Sequence, residues 1–411
     1  MKIINKLFKS QALCILSCLT LFISGCATLQ RTPVPLDQAE QAQVQGIPDV
    51  RALGGIVTPL FQNDIIKSIK QDKKYKNDYV YDKQGRPSYS ALALSGGGSH
   101  GAFGAGFVYG WGESGARPEF KLVSGISTGS LIAPFAFLGQ EYDEKLKKVF
   151  TTTSTNKIAE FLGIFSIFTS ESLASTEPLR NLLEQEVDEK MIDDVATEHD
   201  QGRRLYIGTT NMDSQRLVIW NMGLIAKSKH HNREKLFRDV MLASSSIPVA
   251  FPPIYIQVEA NGEIYDEMHT DGGTLAQVIF YAGTLDLSGA LRATGIDAKT
   301  WPVGNIYIIR NGKLSAEPRH IQRKLPEISE RAVETMIKSA ARNDLFRIYA
   351  FSEREKANFN YVDIPDEFEL DAEEPFDPVA MKNLFQLGRE MGKTQDSWVN
   401  QPPGLSQETD K

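Results

Sequence analysis

Ala91-Leu92-Ala93-Leu94-Ser95-Gly96-Gly97-Gly98-Ser99-His100-Gly101 runs from an apolar segment of buried-strand character into a turn with four glycines in seven residues. Behind it, Ala102-Phe103-Gly104-Ala105-Gly106-Phe107-Val108-Tyr109 is small and apolar enough to begin a tightly packed helix. Glycines gathered between a strand and a helix let bare backbone N–H groups point at a ligand. That ligand is either a phosphate or the oxyanion that develops in acyl transfer. The pattern then repeats. Lys121-Leu122-Val123-Ser124 reads as a strand, Gly125-Ile126-Ser127-Thr128-Gly129 as a turn, and Ser130 to Leu138 as an apolar helix. Two such units in succession predict an α/β domain with a mainly parallel central sheet, flanked by helices. Its functional loops should lie at the strands' carboxyl ends.

Gly125-x-Ser127-x-Gly129 has the spacing of a nucleophile elbow, in which glycines permit the sharp turn that lifts a serine Oγ above the sheet. The spacing alone is weak evidence; its place between an apolar strand and an apolar helix makes it strong. The glycine loop lacks the Gly-Lys-Ser/Thr ending of a nucleotide-binding loop, and Ser127 follows 26 residues after Gly101, which favours the oxyanion reading. A serine nucleophile needs a base. His199, His230, His231 and His320 sit in strongly polar surroundings and read as surface residues. His100 lies inside the glycine loop and His269 two residues before Asp271, and neither occupies the late position of an α/β-hydrolase histidine. Asp271, in Thr270-Asp271-Gly272-Gly273 at the end of an expected strand, is the stronger candidate, provided that burial raises its pKa. Taken alone, the same four residues read more readily as a surface Asp-Gly turn.

Three signals occur in order: a glycine-rich loop, the elbow, and Asp-Gly-Gly with its aspartate 144 residues after the serine. From Ser90 to Gly273, including the Ser-rich, Pro-containing segment Ser244–Pro253, the chain resembles the patatin-like phospholipases. The resemblance implies a Ser127–Asp271 dyad, oxyanion-hole N–H groups from Gly96, Gly97 and Gly98, a lipid or other acyl-ester substrate, and no cofactor. Two departures stand out: Ser95 and His100 take places where the family often has an aspartate and a basic residue. His100 is therefore a candidate for substrate binding, with full charge only when protonated. The same dyad would also serve a short-chain esterase or a transacylase, and the same fold a non-catalytic lipid-binding lipoprotein.

The N-terminus reads as a targeting segment. Lys2, Lys6 and Lys9 precede an apolar stretch from Ala12 to Ile23, and Ile23-Ser24-Gly25-Cys26 resembles a bacterial lipobox. Residues 1–25 are expected to be removed and Cys26 lipidated; Ala27 would then favour the outer membrane of a Gram-negative envelope. Residues 26–60, rich in Gln and Pro, are expected to form a flexible tether, 61–400 a single acyl hydrolase domain (motif core 90–275), and 401–411 a disordered tail. Cleavage would leave one cysteine, which excludes a disulfide framework and a catalytic thiol. The net charge of −7, or −10 without the first three lysines, argues against a nucleic-acid partner. His230-His231 lack ligands at metal spacing, so no metal is expected.

Other expectations are coarser. They include a hairpin from Arg204–Thr210 and Arg216–Asn221, a helix over Leu236–Ser244, and a short strand at Gly262–Tyr265. A β-rich run over Asn305–Arg310, a long helix from Ile328, a strand near Phe359 and a last helix from Pro378 follow. The apolar run Phe161–Phe168 is either a core helix or a cap over a lipid site.

Overall fold

The computed structural model describes residues 31–74, 80–81, 87–162, 170–280, 285–295 and 302–405. Its centre is five parallel strands in the order Arg204–Asn211, Phe120–Gly125, Pro87–Leu94, Val303–Ile309 and Asn358–Val362. Antiparallel strands extend this sheet on the Arg204–Asn211 side and add Val80–Tyr81 beside Pro87–Leu94. The α/β expectation is met.

Alternation along the strands builds the layers. Leu92 and Leu94 enter the core on one face, while Ala91 and Ala93 enter the core on the other. The first face is covered by helices Gly101–Glu113, Thr128–Leu138 and Pro378–Gly392. The second takes Phe61, Ile65 and Ile69 of helix Pro59–Lys74 and the buried half of helix Leu325–Glu355, from Ala341 onward. Both long sequence-expected helices and the 204–221 hairpin are present.

The topology brings two distant strands head to head. Strand Arg204–Asn211 has one edge filled by Arg216–Asn221. Its other edge is shared. Residues 204–207 pair in parallel with the elbow strand, whose Gly125 lies opposite Ile207, and residues 209–211 pair antiparallel with strand Glu263–Asp271, whose Asp271 lies opposite Thr209. The elbow strand and the aspartate strand therefore end facing each other across Gly208. The aspartate strand is nine residues long, not the short strand expected at 262–265, and its residues 263–269 pair with the alternating strand Ile254–Ala260.

Two expectations are corrected. Residues 31–60 are not a free tether: Gln43–Val44 and Arg51–Leu53 add edge strands to the sheet, and Val34, Val44, Ile47 and Val50 are buried in the core. Arg51 also forms a bidentate pair with the buried Glu267. His199 is not a surface residue. It is 0% exposed, and its pKa falls to about 2 because burial penalises the charged ring and the Arg204 charge adds to that penalty. The polar residues that flank it in sequence lie on the outer side of its helix, Glu189–Asp200. The expected signal peptide, Cys26 and most of the Phe161–Phe168 run lie outside the described residues, as does the tail beyond 405. Among the described residues no helix is long and apolar enough to cross a membrane.

Candidate active site

Gly125 ends the elbow strand, and the chain turns into helix Thr128–Leu138 through Ser127 at φ 53° and ψ −129°. A serine with positive φ is strained backbone, tolerated where surrounding bonds hold it. Here they do. The Ser127 N–H donates to Ser244 Oγ at 3.0 Å, Ser244 Oγ donates to the Gly208 carbonyl at 2.7 Å, and the Ser127 carbonyl accepts from Ser130 N–H at 2.8 Å. Gly129 must lack a side chain because a Cβ there would lie 2.3 Å from the Leu94 carbonyl oxygen. The turn is thereby pressed against the end of the glycine-loop strand.

The Ser127 hydroxyl donates to the Asp271 carboxylate, which also accepts from Gly273 N–H at 2.7 Å. Ser127 is 6% exposed and Asp271 4%. Burial pushes the Asp271 pKa up to about 7, against the two hydrogen bonds, which favour the ionised form. Residues 244–246 tie both partners together: Ser244 holds the Ser127 amide, Ser245 Oγ donates to the Ser127 carbonyl at 3.3 Å, and the Ser246 carbonyl accepts from Asp271 N–H at 2.8 Å. The triple serine is a clamp on the pair.

The glycine loop packs directly over this pair. A Cβ on Gly96 would sit 3.1 Å from Ser127 Cβ. Of the three expected oxyanion donors, Gly96 is corrected: its N–H bonds the Gln277 carbonyl at 3.2 Å. The N–H groups of Gly97 and Gly98 have no acceptor among the described residues, and Thr128 N–H adds a first-turn donor that no intrahelical carbonyl can reach. His100 is half-buried, and its pKa is lowered by burial and then by the Arg310 charge, so at neutral pH it is uncharged. It does not supply the cation that a basic residue at this place would.

Sequence reasoning missed the supports of the loop. Arg310 and Asn311 follow strand Val303–Ile309 and lie under the glycines. Asn311 Nδ2 donates to the Ser95 carbonyl at 2.8 Å, and its Oδ1 accepts from Gly104 N–H at 3.0 Å. Its backbone oxygen would lie 2.1 Å from a Cβ on Gly97, so only glycine fits there. Gln277 links the two sides: its backbone carbonyl holds Gly96 and its Nε2 donates to the Gly273 carbonyl at 2.8 Å. The one available signal for Arg310 was a charged residue at the carboxyl end of an apolar strand, where open α/β sheets place their sites.

Next to Gly98 and Thr128 opens a cavity of about 50 Å³, walled by Leu131, Phe135, Phe150, Leu179, Met241 and Met381. The outer rim is apolar as well. Val249, 70% exposed and at φ 73°, stands three residues beyond Ser246, and Leu173 N–H bonds its carbonyl. Exposed Phe161, Leu173 and Ile247 flank it along the same strand and loop segments.

An elbow serine bonded to a buried carboxylate, under a loop with open amide donors, brings together the groups that acyl transfer requires. Residues 92–282 match the family model of the patatin-like phospholipases. Among solved structures, VipD from Legionella pneumophila is similar with 13% identity and a TM-score of 0.36, over 78% of this chain and 70% of that one. Full-length ExoU from Pseudomonas aeruginosa, crystallised with SpcU, gives 15% identity and 0.32, over 75% of this chain and 52% of that one. Human GIVD cytosolic phospholipase A2 gives 8% and 0.31, over 78% and 52%. No curated protein matches the chain by sequence.

Proposed function

We propose that this protein is a membrane-anchored serine acyl hydrolase that cleaves lipid acyl esters through Ser127 and Asp271. The observation that carries the reading is the hydrogen bond from the Ser127 hydroxyl to a buried carboxylate with a pKa of about 7, beneath two open loop amides. A carboxylate at its ordinary pKa is a poor acceptor for a serine proton; one lifted toward neutrality is matched to the task.

In the first half-reaction Ser127 Oγ attacks the ester carbonyl carbon while its proton passes to Asp271. The Gly97 and Gly98 N–H groups hold the tetrahedral oxyanion, each contributing about 3–4 kcal/mol to the transition state. The tetrahedral centre collapses, the alkoxide leaves with the proton from Asp271, and an acyl-serine remains. In the second half-reaction a water gives its proton to Asp271 and its oxygen to the acyl carbon. Collapse returns the proton to Ser127 and releases the fatty acid. The apolar cavity beside Gly98 and Thr128 is suited to an acyl chain, and the apolar rim at Val249 and Leu173 to a lipid surface. Cys26 is the proposed site of the lipid anchor, and a bacterial outer membrane the proposed location.

A fluorophosphonate probe tests the nucleophile. The wild-type chain is expected to be labelled at Ser127, and Ser127→Ala to lose both labelling and ester hydrolysis while keeping its thermal unfolding transition. An unlabelled wild type, or activity surviving in Ser127→Ala, would refute the dyad. Defined phospholipids beside short esters test the substrate class: turnover of short esters alone would remove the lipid assignment.

A further inference from the structure

We propose that Arg310 is a positioning residue of the oxyanion hole, fixing and polarising the Gly96–Gly97 peptide through a hydrogen bond from its guanidinium to the Gly96 carbonyl. The inference rests on Ser127 being the nucleophile.

One peptide unit carries both relevant groups. Its carbonyl belongs to Gly96 and its N–H to Gly97. Arg310 Nη1 donates to that carbonyl at 2.7 Å, and the Ser95 hydroxyl donates to the same oxygen at 2.7 Å. On the opposite end of the unit the Gly97 N–H is open. A Gly-Gly peptide has little intrinsic resistance to rotation, and a flip would present a carbonyl oxygen where an oxyanion must form. The two donors oppose that flip. They also draw electron density toward the carbonyl, which makes the N–H at the other end a stronger donor.

Arg310 is equipped for this and for little else. It is 5% exposed and forms no ion pair among the described residues. Its Nη1 contacts are neutral oxygens: the Gly96 carbonyl, Ser95 Oγ at 3.1 Å and the Asn311 carbonyl at 3.5 Å; Nε has no partner. Asp363, Asp344 and Glu317 act on it only through space. A buried cation facing only neutral acceptors is costly in the resting protein, and an anion forming above the loop would relieve that cost. Ser95 is itself fully buried and held by Asn311 N–H at 2.8 Å, so the donor pair is a rigid fixture and not a surface contact.

The test compares wild type, Arg310→Gln, Arg310→Lys and Ser95→Ala in the full chain, reading kcat and KM for an ester and the rate of fluorophosphonate inactivation. The phosphonyl oxygen of the probe occupies the oxyanion position, so its rate reads the hole directly. Arg310→Gln is expected to lower kcat and the inactivation rate together, by about tenfold to a hundredfold, with KM nearly unchanged; loss of one direct donor costs about 10²–10³. Arg310→Lys should recover part of both. A folded Arg310→Gln with wild-type kcat and inactivation rate overturns the proposal, as does a loss seen only in KM. If Arg310→Gln fails to fold, Ser95→Ala is decisive: a severalfold fall in kcat at constant KM supports the pinned peptide, and an unchanged kcat refutes it. A wild type inert to the probe would instead overturn the Ser127 reading beneath it.

Discussion

Asp271 is ionised at a cost to the fold. Its pKa of about 7 lies well above the ordinary carboxylate value, so the folded chain holds this proton more tightly than the unfolded chain. The sign is opposite to that of a salt-bridged carboxylate: the group's contribution to stability falls as pH rises from about 4 through 7. Hydrolysis needs the ionised form, so kcat/KM is expected to rise with pH through an apparent pKa near 7 and to level off above it. Asp271→Asn separates the two effects. Asparagine can still accept from Gly273 N–H but carries no charge, so the variant should be inactive yet more stable at pH 8. The gain is at most roughly 4 kcal/mol, or several degrees in thermal unfolding, and should shrink as pH is lowered below 7. A variant no more stable than wild type at pH 8 would show that Asp271 is not held against its own charge. Among single residues, Ser127 and the glycines were legible as candidates because spacing within a few residues determines a tight turn, and Asp271 because it follows them in the order that the resemblance implies. Arg310 was not, because its partner Gly96 lies 214 residues away and only the parallel pairing of strands 87–94 and 303–309 brings them together.

At the scale of elements, the site exists because two strands terminate on one edge of a third. The elbow strand was visible as an apolar run before a glycine turn. The aspartate strand was visible only in part, as a short strand at 262–265 and at its Asp271 end, since Asp266-Glu267 interrupt the apolar signal. What supports that strand comes from the N-terminal segment. Burial works to raise the pKa of Glu267, yet a hydrogen bond from His269 and the Arg51 charge hold it at about 2. Removing Arg51 leaves a buried carboxylate without its cation, two strand positions from His269 and four from Asp271. Arg51→Ala is therefore expected to destabilise the fold by roughly 3–5 kcal/mol, measured by urea unfolding. A change below about 1 kcal/mol would indicate that the segment is dispensable. Its role escaped the sequence because strands of two and three residues, set among Gln and Pro, leave no periodic signal.

For the whole molecule, the seating of residues 31–53 changes how the chain would meet a membrane. A free tether from Cys26 to residue 60 would reach more than about 100 Å, enough to sample distant surfaces. With Arg31 paired to Asp213 and the Thr32 carbonyl accepting from Asp266 N–H, the seated chain begins within at most about 18 Å of Cys26, the fully extended span of the five intervening links. With Cys26 lipidated, the domain would lie against the leaflet that holds its anchor. Cys26→Ser is expected to move the protein from the membrane to the soluble fraction, and unchanged partitioning would count against the anchor. Such an enzyme would search in two dimensions. Its turnover on vesicles should follow the mole fraction of substrate in the membrane and stay constant when the whole suspension is diluted, whereas Cys26→Ser should slow with dilution.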